Sequence, residues 1–256
     1  MIDLSQARIL ISNDDGIHAP GLKVLEHIAK EVCPDVWVVA PETEQSATGH
    51  SLTLRRPLRI HQHSDKRFSV DGTPTDSVLL AMNQIMKDCK PDLVLSGVNR
   101  GGNLGEDVTY SGTVAAAMEA TLLGVPAIAF SQYFEDPNRV KWSTAENHGP
   151  DLLKNLVKIG WPKNTLLNVN FPDVVHQSVK SVEYTRQGRR KIGDDLAAGR
   201  DPRGEEYYWI GALRSEENFH EGTDLHAVVN GSISVSPITL DFTDYKTLDR
   251  LQENLT

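Results

Sequence analysis

The chain has 256 residues and a mass of 28.3 kDa with 39% hydrophobic residues. That is enough for one large α/β domain, or a main domain with a smaller excursion, and it excludes wholesale disorder. A formal charge of −9 and a pI of about 5.5 exclude general nucleic-acid binding, which needs a basic face, but not a small anionic substrate at a site where a local cation inverts the field.

Strand and helix signals alternate from the start. Residues 7–12 (ARILIS) read as a buried strand. A helix is expected over 19–32, with Pro20 in its first turn and Leu22, Leu25, Ile28, Ala29 and Val32 at helical spacing. Residues 36–40 (VWVVA) are a second buried strand, followed by a polar loop from Pro41 to Ser51. Strand character runs from about 52 to 70, and DGTPT punctuates it. Thr73 as N-cap and Asp76 three residues on then open a helix whose apolar face is Val78, Leu79, Met82, Ile85 and Met86. Residues 92–96 are the next strand, 97–112 a glycine-rich loop, and 113–123 a helix ending at Gly124. A strand at 126–131, a helix at 144–159 and a strand at 165–170 follow.

This repetition predicts a mostly parallel sheet with helices on both faces, whose site lies beyond the carboxyl ends of the strands. The domain expectation is a catalytic core over 1–175 and a C-terminal extension over 176–256. In the extension, 179–186 and 206–212 read as strands of a hairpin arm, and the charged 186–205 linker reads as a solvated loop in preference to a substrate-contacting one. A short helix near 223–230, a strand near 232–236 and a helical tail complete it. Cys33 and Cys89 have neither zinc nor disulfide spacing and are expected reduced. The N-terminus lacks the pattern of a signal peptide, and no apolar run approaches the ~20 residues of a membrane span. The expected location is cytoplasmic, with no membrane partner.

Three stretches carry chemistry. The first is ILISNDDGIHAPGL, residues 9–22, where Asp14 and Asp15 end an apolar strand. Two neighbouring acids suit a hard divalent cation, or they cap the helix that follows; the stretch alone does not choose. Gly16 permits the turn, and His18 reads as incidental. The second is the loop PETEQSATGHS, where the Ser46 hydroxyl is either a weak cation ligand or a plain turn residue. The third is LSGVNRGGNLGEDVTYSGTVAAAMEA, residues 95–120, with five glycines and two asparagines between strand and helix. Asn99 and Asn103 offer carbonyl oxygens to a cation or amide donors to a phosphate. Ser111, Gly112 and Thr113 open the helix with free N–H groups and two hydroxyls, an anion site. Neither a GxxxxGK[ST] nor a strand-GxGxxG-helix pattern occurs. An acidic cation pocket beside a phosphate cradle suits metal-assisted phosphoryl transfer to water.

In these blocks, together with VVAPETEQSATGHSLT, VDGTPTDSV, GVPAIAFS and LLNVNFPD, the sequence closely resembles the SurE family of stationary-phase survival proteins, metal-dependent 5′(3′)-nucleotidases. The resemblance implies a Rossmann-like α/β fold and one divalent cation held by Asp14, Asp15, Ser46 and Asn99; the oxygen ligands make Mg²⁺ or Mn²⁺ the expected metal, and Asp14 or Asp15 is the expected base for a metal-bound water. It implies phosphate at Asn103, Ser111, Gly112 and Thr113, and hydrolysis of nucleoside monophosphates, with short polyphosphate as a further substrate. It also implies a homodimer or homotetramer assembled through the C-terminal portion. Two other readings stay open: a nucleotide-binding regulatory module without turnover, and a phosphatase acting through an aspartyl-phosphate. The latter class places its acids as Asp-x-Asp, whereas here they are adjacent.

Overall fold

The computed structural model describes residues 2–192, 196–211, 214–216 and 219–254. β1 (Arg8–Ser12) leads into α1 (Pro20–Val32), and β2 (Asp35–Pro41) follows. The expected strand at 52–70 is shorter and split into β3 (Ile60–Ser64) and β4 (Arg67–Val70), which pair antiparallel. β3 is exposed along its whole length, so packing does not specify it and the segment before it has no sheet to join. α2 (Pro74–Leu80) opens on the expected capping box: the Thr73 side chain accepts from Asp76 N–H while the Asp76 carboxylate accepts from Thr73 N–H. It continues as a π-helical turn, Ala81–Ile85.

β5 (Leu93–Arg100) runs four residues beyond the expected strand end at Ser96, through Gly97 and into the glycine-rich segment. Its register against β6 (Ala127–Gln132) shifts between Ser96 and Asn99. α3 (Gly112–Leu122), α4 (Trp142–Ile159) and β7 (Thr165–Phe171) lie where the periodicity puts them. The C-terminal part holds β8 (Val182–Tyr184), β9 (Arg190–Ile192), β10 (Leu196–Arg200), β11 (Glu206–Ile210), β12 (Arg214–Glu216), α5 (Asp224–Val229), β13 (Ile233–Thr239) and α6 (Tyr245–Glu253).

Nine strands form one sheet in the order β3-β4-β2-β1-β5-β6-β7-β13-β8. The run from β4 to β7 is parallel throughout, and β13 pairs antiparallel with β7. Alternation along β1 divides the core. Ile9 and Ile11 face a cluster with Leu22, Leu25 and Ile28 of α1 and Leu153 and Leu156 of α4. Leu10 faces the opposite cluster with Val78, Met82, Val114 and Ala117. β1 is therefore apolar on both faces, as expected of a central strand in a parallel sheet covered on both sides. β1 is flanked by β2 on one side and β5 on the other, so the strand order turns at β1. That crevice is where α/β sheets place their sites.

Two expectations for the extension change. The strand at 179–186 is not half of a hairpin: β8 pairs in parallel with β13 at the sheet edge. The exposed hairpin is β10 with β11, and residue 212 of the expected 206–212 strand lies outside the described residues. Nor is the 186–205 linker simply a solvated loop, although its residues 193–195 are not described. β9 and β10 lie within it, and Arg190 is 2% exposed. No helix among the described residues is long and apolar enough to cross a membrane.

Candidate active site

Both acids sit just beyond the carboxyl end of β1. Asn13 ties the turn shut, its Nδ2 donating to Gly16 O at 3.0 Å. Gly16 has φ of +99°, a left-handed conformation that disfavours any side chain. Asp14 turns inward and is 4% exposed; Asp15 is half-buried. The helix-cap alternative fails: the N-cap of α1 is Ala19, with no side-chain cap hydrogen bond. Asp15 instead accepts from Arg100 N–H at 3.2 Å at the end of β5.

Three loops converge on this pair because β1, β2 and β5 are parallel neighbours. The loop after β2 is stitched to β1 by Gln45 N–H donating to Asp14 O at 2.8 Å, which brings Ser46 beside the acids. Ser46 Oγ donates to Glu44 Oε1 at 2.8 Å, and Ala47 next to it has φ of 59°, an uncommon state for a residue with a side chain. Asn99 Nδ2 donates to Gly101 O at 2.9 Å, leaving its carbonyl oxygen for a ligand.

The start of α3 closes the other side. Ser111 is the N-cap, its Oγ accepting from Val114 N–H at 3.0 Å. Gly112 lies so close to the acid that a Cβ there would sit 2.7 Å from Asp14 Cβ, inside any real contact. The Thr113 hydroxyl donates to Asp14 Oδ1. Thr113 thus serves the acid in this arrangement, while Ser111 and Asn103 line the cavity.

All four acid and neutral oxygen residues, Asp14, Asp15, Ser46 and Asn99, line one cavity of about 420 Å³ together with Asn103 and Ser111. Burial, reinforced by the Asp15 charge, pushes the Asp14 carboxyl up to about 7 against the Thr113 hydrogen bonds that pull it down. Burial raises Asp15 as well, although Arg100 opposes it. Two carboxylates that resist ionising together are the donor set a divalent cation relieves. Among the described residues no three His, Cys, Asp or Glu side chains converge as a metal-binding group. A cation here would therefore draw on the neutral oxygens of Ser46 and Asn99, which suits a hard ion and not zinc.

Sequence reasoning missed several residues. Arg100, Glu44, Asp107, Tyr110 and Trp142 also line the cavity. Asn168 and Asn170 of β7 hold the glycine-rich loop from below: both Nδ2 groups donate to Asn103 O, at 2.8 and 3.1 Å, and Asn170 Oδ1 accepts from Asn103 N–H at 2.8 Å. Asn103 Nδ2 in turn donates to Ser131 Oγ at 2.8 Å. The signal was present as LLNVN, two amides at strand spacing in an otherwise apolar strand. His18 packs edge-on against His63, 6.0 Å between ring centroids, and is not among the residues lining the cavity.

The chain is similar to known proteins over nearly its whole length. The family model described as "Survival protein SurE" matches residues 9–194. The chain is 62% identical over 250 residues to a protein named 5′-nucleotidase SurE from Paramagnetospirillum magneticum, covering 96% of each chain. It is 54% identical to the protein of the same name from Rhodospirillum rubrum, covering 98% of this chain and 97% of that one. The crystal structure of the SurE protein from Aquifex aeolicus superposes with a TM-score of 0.85 at 40% identity, covering 97% of this chain and all of that one. With the match spanning the acid pair, the glycine-rich loop and nearly the whole fold, the chain belongs to the survival protein SurE family.

Proposed function

We propose that the protein is a divalent-metal-dependent 5′-nucleotidase that hydrolyses nucleoside monophosphates to nucleoside and phosphate. The observation that carries this is the junction of the acid pair with the start of α3: Asp14, Asp15 and Ser111 share one cavity, and Thr113 is bonded to Asp14. A pure anion site gains nothing from buried acids, so their presence favours catalysis over simple nucleotide binding. The chain's close relatives are named as 5′-nucleotidases, which supports the same reading.

Asp14, Asp15, Ser46 and Asn99 would hold one cation per subunit, Mg²⁺ or Mn²⁺. When bound, it supplies Lewis acidity to the phosphoryl oxygens. Thr113 fixes the orientation of Asp14 and favours its ionised form. Asn103, Ser111 and Gly112 would donate to the phosphate at the positive end of α3, an 11-residue helix. The carboxylate pair would take the proton from the attacking water. The same open cavity would admit 3′ esters and short polyphosphate. We further propose a cytoplasmic homodimer or homotetramer, assembled through residues 176–256.

The test is a phosphate-release panel over nucleoside 5′- and 3′-monophosphates and tripolyphosphate, with Mg²⁺, Mn²⁺ or EDTA. Release that requires metal and disappears in Asp14→Asn is expected. Undiminished release in EDTA refutes the metal, tight nucleotide binding without release makes the protein a binding module, and borohydride trapping of a phospho-aspartate puts a covalent step in place of direct attack by water.

A further inference from the structure

The extension reaches into the site at one point. Arg190, in the segment that reads as a solvated linker, is 2% exposed, and its guanidinium forms an ion pair with Asp107, itself 4% exposed. Its backbone N–H donates to the Glu106 carboxylate, and Nη2 lies 3.5 Å from Gly102 O. One turn away, Asp224 from the same extension accepts from Gly105 N–H at 2.9 Å. The glycine-rich loop is thus held from outside by residues more than 80 positions later in the chain.

Asp107 lines the cavity. It also governs the start of α3, because its carbonyl accepts from Ser111 N–H at 3.1 Å and Tyr110 N–H at 3.0 Å. A buried carboxylate beside a cavity that takes a phosphate dianion repels the ligand, and burial leaves little water to screen that repulsion. A buried carboxylate paired with a buried guanidinium is nearly neutral to its surroundings. Removing one partner leaves the other charge exposed in low dielectric.

We propose that Arg190 is a positioning residue for phosphate: it neutralises Asp107 beside the cavity, so that this carboxylate does not repel the ligand. The C-terminal extension thereby completes the phosphate side of the site. This rests on the phosphate reading of the cavity, and the experiment separates the two.

Binding of inorganic phosphate to the full chain is measured by calorimetry with Mg²⁺ present, alongside thermal melts. Arg190→Met is expected to weaken phosphate binding at least tenfold. The double variant Arg190→Met/Asp107→Asn removes both charges and is expected to recover most of that loss. A purely structural role would not produce such recovery, since the double variant lacks the tie as well. Arg186→Gln, on the same segment but exposed, is expected to bind phosphate as wild type does. Should Arg190→Met not fold, Arg190→Lys keeps the charge without the planar fork and is expected to stay within about threefold of wild type. Phosphate binding by Arg190→Met equal to wild type, a double variant no better than the single one, or a tenfold loss in Arg190→Lys would overturn the proposal. If wild type binds no phosphate at all, the phosphate reading falls first and this role falls with it.

Discussion

Replacing Asp14 by Asn should abolish activity and yet stabilise the metal-free fold. Asp14 is 4% exposed and its carboxyl is raised from 3.8 to about 7, burial being the largest cause and the Asp15 charge the next. A carboxyl whose native pKa lies above its unfolded value supports the fold fully only below the unfolded value, near pH 4, and that support is lost as pH rises through about 7. At about 1.4 kcal/mol per pH unit, ionised Asp14 withholds roughly 4 kcal/mol from the metal-free fold at pH 8.5, of which about 2 kcal/mol appears between pH 5.5 and 8.5. Asn keeps an oxygen that can accept from the Thr113 hydroxyl and carries no charge. In EDTA at pH 8.5, Asp14→Asn should therefore melt at least ~5 °C above wild type, since a kcal/mol moves Tm by about 2–4 °C in a chain of this size. The margin should shrink at pH 5.5. Saturating Mg²⁺ should raise the Tm of wild type and leave the variant unmoved. Differential scanning calorimetry at the two pH values, with and without metal, decides it. A variant less stable than wild type at pH 8.5, or a margin indifferent to pH, would show that the cost of burying this charge was misjudged.

Three further outcomes follow from contacts around the acids. Thr113→Val removes the hydroxyl that holds Asp14, so metal affinity measured by calorimetry should fall roughly 10- to 100-fold, with the melting curve changing far less. Gly112→Ala forces a Cβ against Asp14 Cβ at 2.7 Å and should cut kcat/KM about 100-fold by displacing the helix start from the acid; a change within threefold would mean that α3 shifts freely. Asn170→Ala strands the buried Asn103 N–H, which now donates at 2.8 Å, and should destabilise by about 1–3 kcal/mol in urea unfolding, with the m-value unchanged.

The parallel sheet was legible in the sequence because its central strands are apolar on both faces and some of its helices carry start signals that act locally. The Thr73–Asp76 capping box and Pro20 at the start of α1 depend on residues within three or four positions, so short-range chemistry decides them. The position of Asp14 and Asp15 after an apolar run placed them at the sheet's carboxyl edge for the same reason. The sequence did not distinguish a cation pair from a helix cap, because that depends on which loops meet the acids. Parallel pairing of β1 with β2 and β5 brings Ser46 and Asn99 to the same cavity as the acids, Thr113 is bonded to Asp14, and neither acid caps α1. Strand β5 ran past its expected end because its last residues pair with β6 and Arg100 N–H is taken by Asp15, neither of which local pattern reveals.

What the sequence determined by itself was the alternation of buried strands with capped helices and the chemical types gathered on the loops, since periodicity and capping are properties of neighbours along the chain. What only the tertiary structure decided was partnership across distance. Asn168 and Asn170 look like misplaced amides in a core strand until Asn103 lies over them. Arg190 looks like one charge among many in a polar linker until it is found buried against Asp107. Charge and hydrogen-bonding capacity are written in the residue, but whether water or another buried group answers them is settled only when the chain folds back on itself.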